Sequence, residues 1–173
     1  DAWRPDVVFV CDGFALKPYV SEALAHYPTV GRYYAYEVAC PRDNLLFKNG
    51  APCPCNYLLT PDTCRRCTIE TMRPTIQSWR FLTQTHEYLA AGAYRASYHA
   101  RLIESLRKFK AIIVSNPSMK TQLEGVNENV HIWPGGVDIS EYAYMPPPSN
   151  PRTVILMAGR VEDPMKGLSV LRE

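Results

Sequence analysis

Lys110-Ala111-Ile112-Ile113-Val114-Ser115-Asn116-Pro117 carries the reading of the fold. Four apolar residues between polar ends are too short for a helix and too continuous for a half-exposed strand. The pattern predicts a strand buried on both faces, as in a parallel sheet. Asn116 then supplies an N-cap and Pro117 a first-turn proline, predicting a short helix that ends at Gly125. Downstream, Val130-His131-Ile132-Trp133 reads as the next strand, followed by Pro134-Gly135-Gly136. Upstream, Tyr94, Tyr98, Leu102, Leu106 and Phe109 recur at steps of three and four, the stripe of a helix facing a core. Further back, residues 6–11 form another apolar strand followed by Asp12-Gly13, a helix is expected over about 17–27, and a Tyr- and Val-rich strand over 30–39. Strands alternating with helices predict an α/β fold with a Rossmann-like parallel sheet.

Regularity fails between Cys40 and Thr68, which hold four of the prolines and five of the six cysteines. So many breakers argue against a long element there. Cys53-Pro54-Cys55 and Cys64-Arg65-Arg66-Cys67, with Cys40 upstream, make a thiol-dense loop of the kind that holds structural zinc. Disulfides and uncoordinated thiols are the other readings of the same residues. Cys11, at a strand end, reads as a small buried hydrophobe.

Composition narrows the class. With 173 residues, 46% hydrophobic and 21% charged, the chain is of ordinary globular type. A formal net charge of +2 is far from the basic balance of a nucleic-acid binder, so no nucleic-acid partner is expected. No apolar run approaches the ~18 residues of a membrane-spanning helix. Both ends read as cut, the first lacking an initiator Met and the last falling inside a helical pattern.

Residues 142–152 include Pro146-Pro147-Pro148 and Pro151, an extended composition expected of an interdomain linker. A fresh unit starts beyond it, with strand 153–158, a loop, and a helix from about Lys166. This organisation places a partial domain over 1–141 with its Cys-rich insert at 40–68, and the start of a second over 153–173. Gly159-Arg160 and Lys166-Gly167 fall at the carboxyl end of that new strand, where α/β sheets bind ligands. Gly159 lets backbone approach a phosphate, and two cations of different geometry suit a diphosphate. Taken alone, the same residues describe a surface turn with two solvated cations.

Together, Ile132-Trp133-Pro134-Gly135-Gly136-Val137-Asp138, the proline-rich linker, the strand, Gly159-Arg160 and Lys166-Gly167 resemble the domain junction of glycosyltransferase family 4. The resemblance implies the two-domain GT-B architecture and transfer of a sugar, with retention, from a nucleotide diphosphate-sugar donor to a sugar, lipid-linked or protein acceptor. It places the donor diphosphate on Gly159, Arg160 and Lys166, and a donor-side loop at Gly135 and Gly136. The family has Asn where this chain has Gly135. Its two spaced glutamates lie further along than Glu173, so this stretch by itself is expected to be inactive. Tyr36 and Glu37 fall where family members face the acceptor, without the usual His; strand packing is the competing reading. An insert in some members also begins Cys-Pro-Arg and closes with Cys-x-x-Cys. That likeness selects Cys40, Cys53, Cys64 and Cys67 as the zinc ligands and leaves Cys55 spare. A cytosolic donor implies a cytoplasmic protein, with at most peripheral membrane contact through Arg101, Arg107, Lys108 and Lys110, which equally suit a solvated helix face. A zinc-stabilised binding module without catalysis, or a nucleotide-sugar epimerase of the same architecture, are the alternatives. His26, His86, His99 and His131 lack metal spacing and read as structural.

Overall fold

The computed structural model describes residues 4–42, 46–48, 51–79, 83–136, 138–141 and 146. The chain divides into two compact units, 1–136 and 137–173. The expected linker (Pro146 aside), the strand over 153–158, Gly159, Arg160 and Lys166 lie outside the described residues.

Unit one is a mixed α/β structure on a four-stranded parallel sheet. Strand β1 (Val8–Val10) pairs with β2 (Thr29–Tyr33). After a small antiparallel hairpin, β3 (Phe47–Lys48) with β4 (Ala51–Pro52), come helices α2 (Pro61–Gln77), α3 (Thr83–Ala90) and α4 (Ala96–Lys108). Strand β5 (Ala111–Val114) then pairs with β2, and β6 (Val130–Ile132) with β5, all in parallel. Helix α1 (Lys17–Ala23) connects β1 to β2, and α5 (Pro117–Gln122) connects β5 to β6.

The order β1-β2-β5-β6 advances in one direction. Since parallel crossovers are right-handed, a sheet that never reverses sends every connecting helix to the same face. Burial follows this rule. Val10, Tyr33, Ile112, Val114 and Val130 share one core with Leu102, Leu106, Met119 and Leu123 from the helices. Ile113 alternates to the other face and is buried, yet is not part of that core. On that face Phe9 is 54% exposed and His131 is exposed as well. The expectation that β1 is buried on both faces is therefore corrected: among the described residues, helices cover one face only.

The decisive strand forms as read, and its helix begins at Pro117 as expected but stops at Gln122, short of Gly125. Asn116 Oδ1 accepts the Met119 N–H at 3.0 Å, and Gly125 takes φ +76° just beyond α5. The stripe buries Tyr98, Leu102, Leu106 and Phe109, while Tyr94, 37% exposed, lies before the start of α4 at Ala96. Asn127 closes the end of α4 by donating to the carbonyls of Leu106 and Phe109 at 2.8 and 3.0 Å.

Other expectations are corrected. The first helix stops at Ala23, its remainder to Tyr27 being turns. The second strand ends at Tyr33, so 34–39 is irregular. The Cys-rich segment does not stay a loop: α2 begins inside it at Pro61, where a proline N1 needs no amide partner. This helix runs through Pro74 to Gln77, so that proline is no boundary. Pro74 has no N–H to donate to the Glu70 carbonyl, so the helix continues past it with one backbone bond fewer. Helix α3 had no distinct signal. Cys11 is only partly buried.

Candidate functional site

In a parallel sheet every strand delivers its following loop to one edge, and ligands bind there. Four loops meet this condition: Cys11-Asp12-Gly13 after β1, 34–37 after β2, Ser115-Asn116 after β5, and 133–136 after β6. The loops after β2 and β5 touch directly, through Ser115 Oγ donating to the Tyr34 carbonyl at 3.4 Å.

Glu37 is held in the interior. Its Oε1 lies 3.2 Å from Lys17 Nζ and its Oε2 accepts the Ala35 N–H at 2.9 Å, pinning the turn that ends β2. Lys17 Nζ also donates to the Arg32 carbonyl at 2.7 Å and sits 4.1 Å from the centre of the Tyr33 ring. Burial lowers the Lys17 pKa; the neighbouring Glu37 carboxylate opposes this and only partly offsets it. Glu37 still borders a small crevice, shared with Phe14, Tyr57 and Tyr98, of about 30 Å³, the share of roughly one water. Tyr36 packs half-buried against the core. Both acceptor-side candidates thus take part in packing, and Glu37 also borders this crevice. Sequence reasoning missed Lys17. Its signal was a lysine followed at once by proline at a helix start, one strand before an acidic residue.

The loop after β1 is anchored likewise. Gly13 takes φ +82°, and a Cβ there would lie 3.0 Å from Glu87 Oε1. Glu87 Oε1 in turn accepts the Leu16 N–H at 3.1 Å, capping α1 from another helix. Asp12, Phe14, Leu16, His86 and Glu87 line an open groove beside this loop.

At the β6 end, the Trp133 N–H donates to the Val114 carbonyl at 2.8 Å while its side chain is left in solvent, the residue being 62% exposed. Gly135 and Gly136 are exposed, and a Cβ added to either would meet nothing within 4 Å, so neither is glycine for reasons of crowding.

The cysteines gather away from that groove. Cys40, Cys53, Cys55, Cys64 and Cys67 all border one half-open pocket of about 400 Å³. Its wall combines the loop before the hairpin, β4, residues 53–55 and the first turns of α2. Cys64 and Cys67 project from α2, three residues apart and so on one helix face. Cys55, expected to be spare, stands on the same wall. None of the six cysteines is disulfide-bonded, and burial pushes the Cys64 thiol up. Among the described residues, no three His, Cys, Asp or Glu side chains are grouped to hold a metal ion. The four expected zinc ligands therefore border one space without converging on one point.

The four histidines are scattered. His26 packs on Tyr27, His99 on Tyr57, and His131 bonds Asn129. Arg101 pairs with Glu22 and covers the Tyr19 ring, and Lys108 pairs with Glu104, as on a solvated helix face. No described helix is long and apolar enough to cross a membrane.

These features define an α/β protein with a Rossmann-like parallel sheet and loops collected at its carboxyl edge. Set against known proteins, the chain matches no family model, no curated protein and no solved structure.

Proposed function

We propose that this chain belongs to a retaining glycosyltransferase that moves a sugar from a nucleotide diphosphate donor to an acceptor bound on the side of the first unit. The reading is carried by one arrangement: a sheet whose four parallel strands open at one edge is followed in sequence by Pro134-Gly135-Gly136-Val137-Asp138, a proline-rich stretch and Gly159-Arg160…Lys166-Gly167. In this reaction the bond from the anomeric carbon to the donor phosphate oxygen breaks, the acceptor oxygen takes the sugar, and its proton leaves to solvent or base. The departing diphosphate gains negative charge. Arg160 offers a planar fork to two phosphate oxygens and Lys166 a point charge to a third, lowering the energy of that departure. The groove beside Asp12, Glu87 and Phe14 offers carboxylates for sugar hydroxyls and an aromatic face for a ring. Nucleotide-sugar epimerisation needs the same phosphate grip but no acceptor groove, so the groove favours transfer.

The test is calorimetric titration of the full-length protein with uridine, guanosine and adenosine diphosphates. Binding of one of them is expected to weaken by about tenfold or more, or ~1.4 kcal/mol, in Arg160→Ala and in Lys166→Ala. Unchanged affinity in both variants refutes the assignment.

A further inference from the structure

We propose that the groove beside the loop after β1 selects an acceptor sugar bearing an ammonium group, a specificity that rests on the transfer reading above. The sign of its charge is the first argument. Two carboxylates, Asp12 and Glu87, stand on its wall with the ring of Phe14, and neither lysine nor arginine joins them. His86 is the remaining titratable side chain on that wall. The whole chain carries a net charge of +2, so the opposite sign belongs to the groove itself. A cleft lined by one sign of charge concentrates ligands of the other.

The way the carboxylates are held is the second argument. Glu87 Oε1 accepts the Leu16 N–H at 3.1 Å, and Asp12 Oδ1 accepts the Gly13 N–H at 2.9 Å. Each side chain is thus fixed by one oxygen, and among the described residues its other oxygen has no hydrogen-bond donor. An ammonium carries three N–H groups and no acceptor, so it can answer more than one carboxylate oxygen, where a hydroxyl donates once. Lys17, next along the chain from Leu16, is withdrawn from the groove. It is 2% exposed, and its Nζ is bound to Glu37 and to the Arg32 carbonyl.

The neutral part of the wall is the third argument. Phe14 is 38% exposed and offers a cation the negative face of its ring. The groove also reaches Ala90, the last residue of α3, whose last turn has no basic side chain, so the carbonyl end of that helix adds partial negative charge. The opposing helix end, the start of α1, has its Leu16 N–H already taken by Glu87. Because the groove is open to water, the resulting preference is severalfold, on the scale of exposed ion pairs.

The experiment is a saturation-transfer NMR titration of the full-length protein with D-glucosamine and D-glucose at neutral pH, where the sugar amine is largely protonated. The two probes differ only by an ammonium group in place of one hydroxyl. Glucosamine is expected to bind about fivefold tighter, with the advantage shrinking in high salt. Asp12→Asn and Glu87→Gln keep an acceptor for the Gly13 and Leu16 N–H groups; each should reduce the advantage, and the double variant should abolish it. Neutral N-acetyl-D-glucosamine should bind no better than glucose. Equal affinity for glucosamine and glucose overturns the proposal, as does the absence of measurable glucosamine binding. A preference unchanged in the double variant, or shared by N-acetylglucosamine, overturns it as well. Failure here is separate from failure of the transfer reading, which the nucleoside diphosphate titration of Arg160→Ala and Lys166→Ala decides by itself.

Discussion

Lys17 Nζ and Glu37 Oε1 are 3.2 Å apart with side chains only 2% and 4% exposed, tying the first residue of α1 to the turn that ends β2. Two charges leave water together here, and the site returns a hydrogen bond from Ala35, a carbonyl from Arg32 and the face of Tyr33. Such a pair is costly to break from one side, because the remaining charge stays buried without a partner. Glu37→Ala or Lys17→Ala is expected to destabilise unit one by about 3–5 kcal/mol. The double replacement Lys17→Met with Glu37→Leu is expected to lose much less. Urea unfolding of the three variants measures this, and additive losses would show that the two side chains are not coupled.

Alkaline pH acts on the same core. Burial raises the Tyr33 and Tyr98 pKa values well above 10.0 and pushes Tyr88 up to about 12. Above pH 10 the unfolded chain releases these protons while the folded chain keeps them, so their stabilising contribution is full below pH 10 and is lost as pH climbs. Lys17 has the opposite sign. Its pKa is lowered from 10.5, so its contribution rises until the unfolded lysine also deprotonates. Melting temperature is therefore expected to hold toward pH 10 and to fall steeply beyond it. Tyrosinate absorbance should rise together with unfolding; buried tyrosines titrating near pH 10 in a folded protein would contradict this.

Gly31 is fixed by packing. A Cβ there would lie 2.9 Å from the Phe109 ring, which is itself buried at the end of α4. Gly31→Ala is expected to cost about 1–3 kcal/mol by overpacking. Phe109→Leu in the same chain should recover part of it. Denaturation of both single variants and the double one closes the cycle, and equal losses with and without Phe109 would locate the strain elsewhere.

Asn116 tests the local signal on which the fold was read. Asn116→Ala removes the side-chain acceptor of the Met119 N–H and should cost about 0.5–2 kcal/mol. Asn116→Asp should restore most of it, because a carboxylate accepts the same bond. Thermal unfolding distinguishes the two variants.

Residues 110–125 determined their own structure. An apolar run, an N-capping Asn, a first-turn Pro and a terminal Gly act within a few residues, and each acts as its local chemistry dictates. The α4 stripe was legible for the same reason, since its period already states which face is buried. The alternation of strands and helices then sufficed for a parallel sheet. Tertiary structure alone decided the rest. Helix α2 starts inside a segment whose prolines read as breakers, because Pro61 sits at N1, where an amide would have no partner within the helix. Lys17 and Glu37, twenty residues apart, meet only because β2 returns beside β1, a distance no local pattern encodes. The placement of helices on one face followed from the direction in which the strands add, which sequence order leaves open. The cysteine spacing announced a thiol-rich segment. Only folding α2 against the hairpin and the loop after β2 brought five of those thiols to the wall of one pocket, because spacing along the chain leaves open where separate segments come to rest.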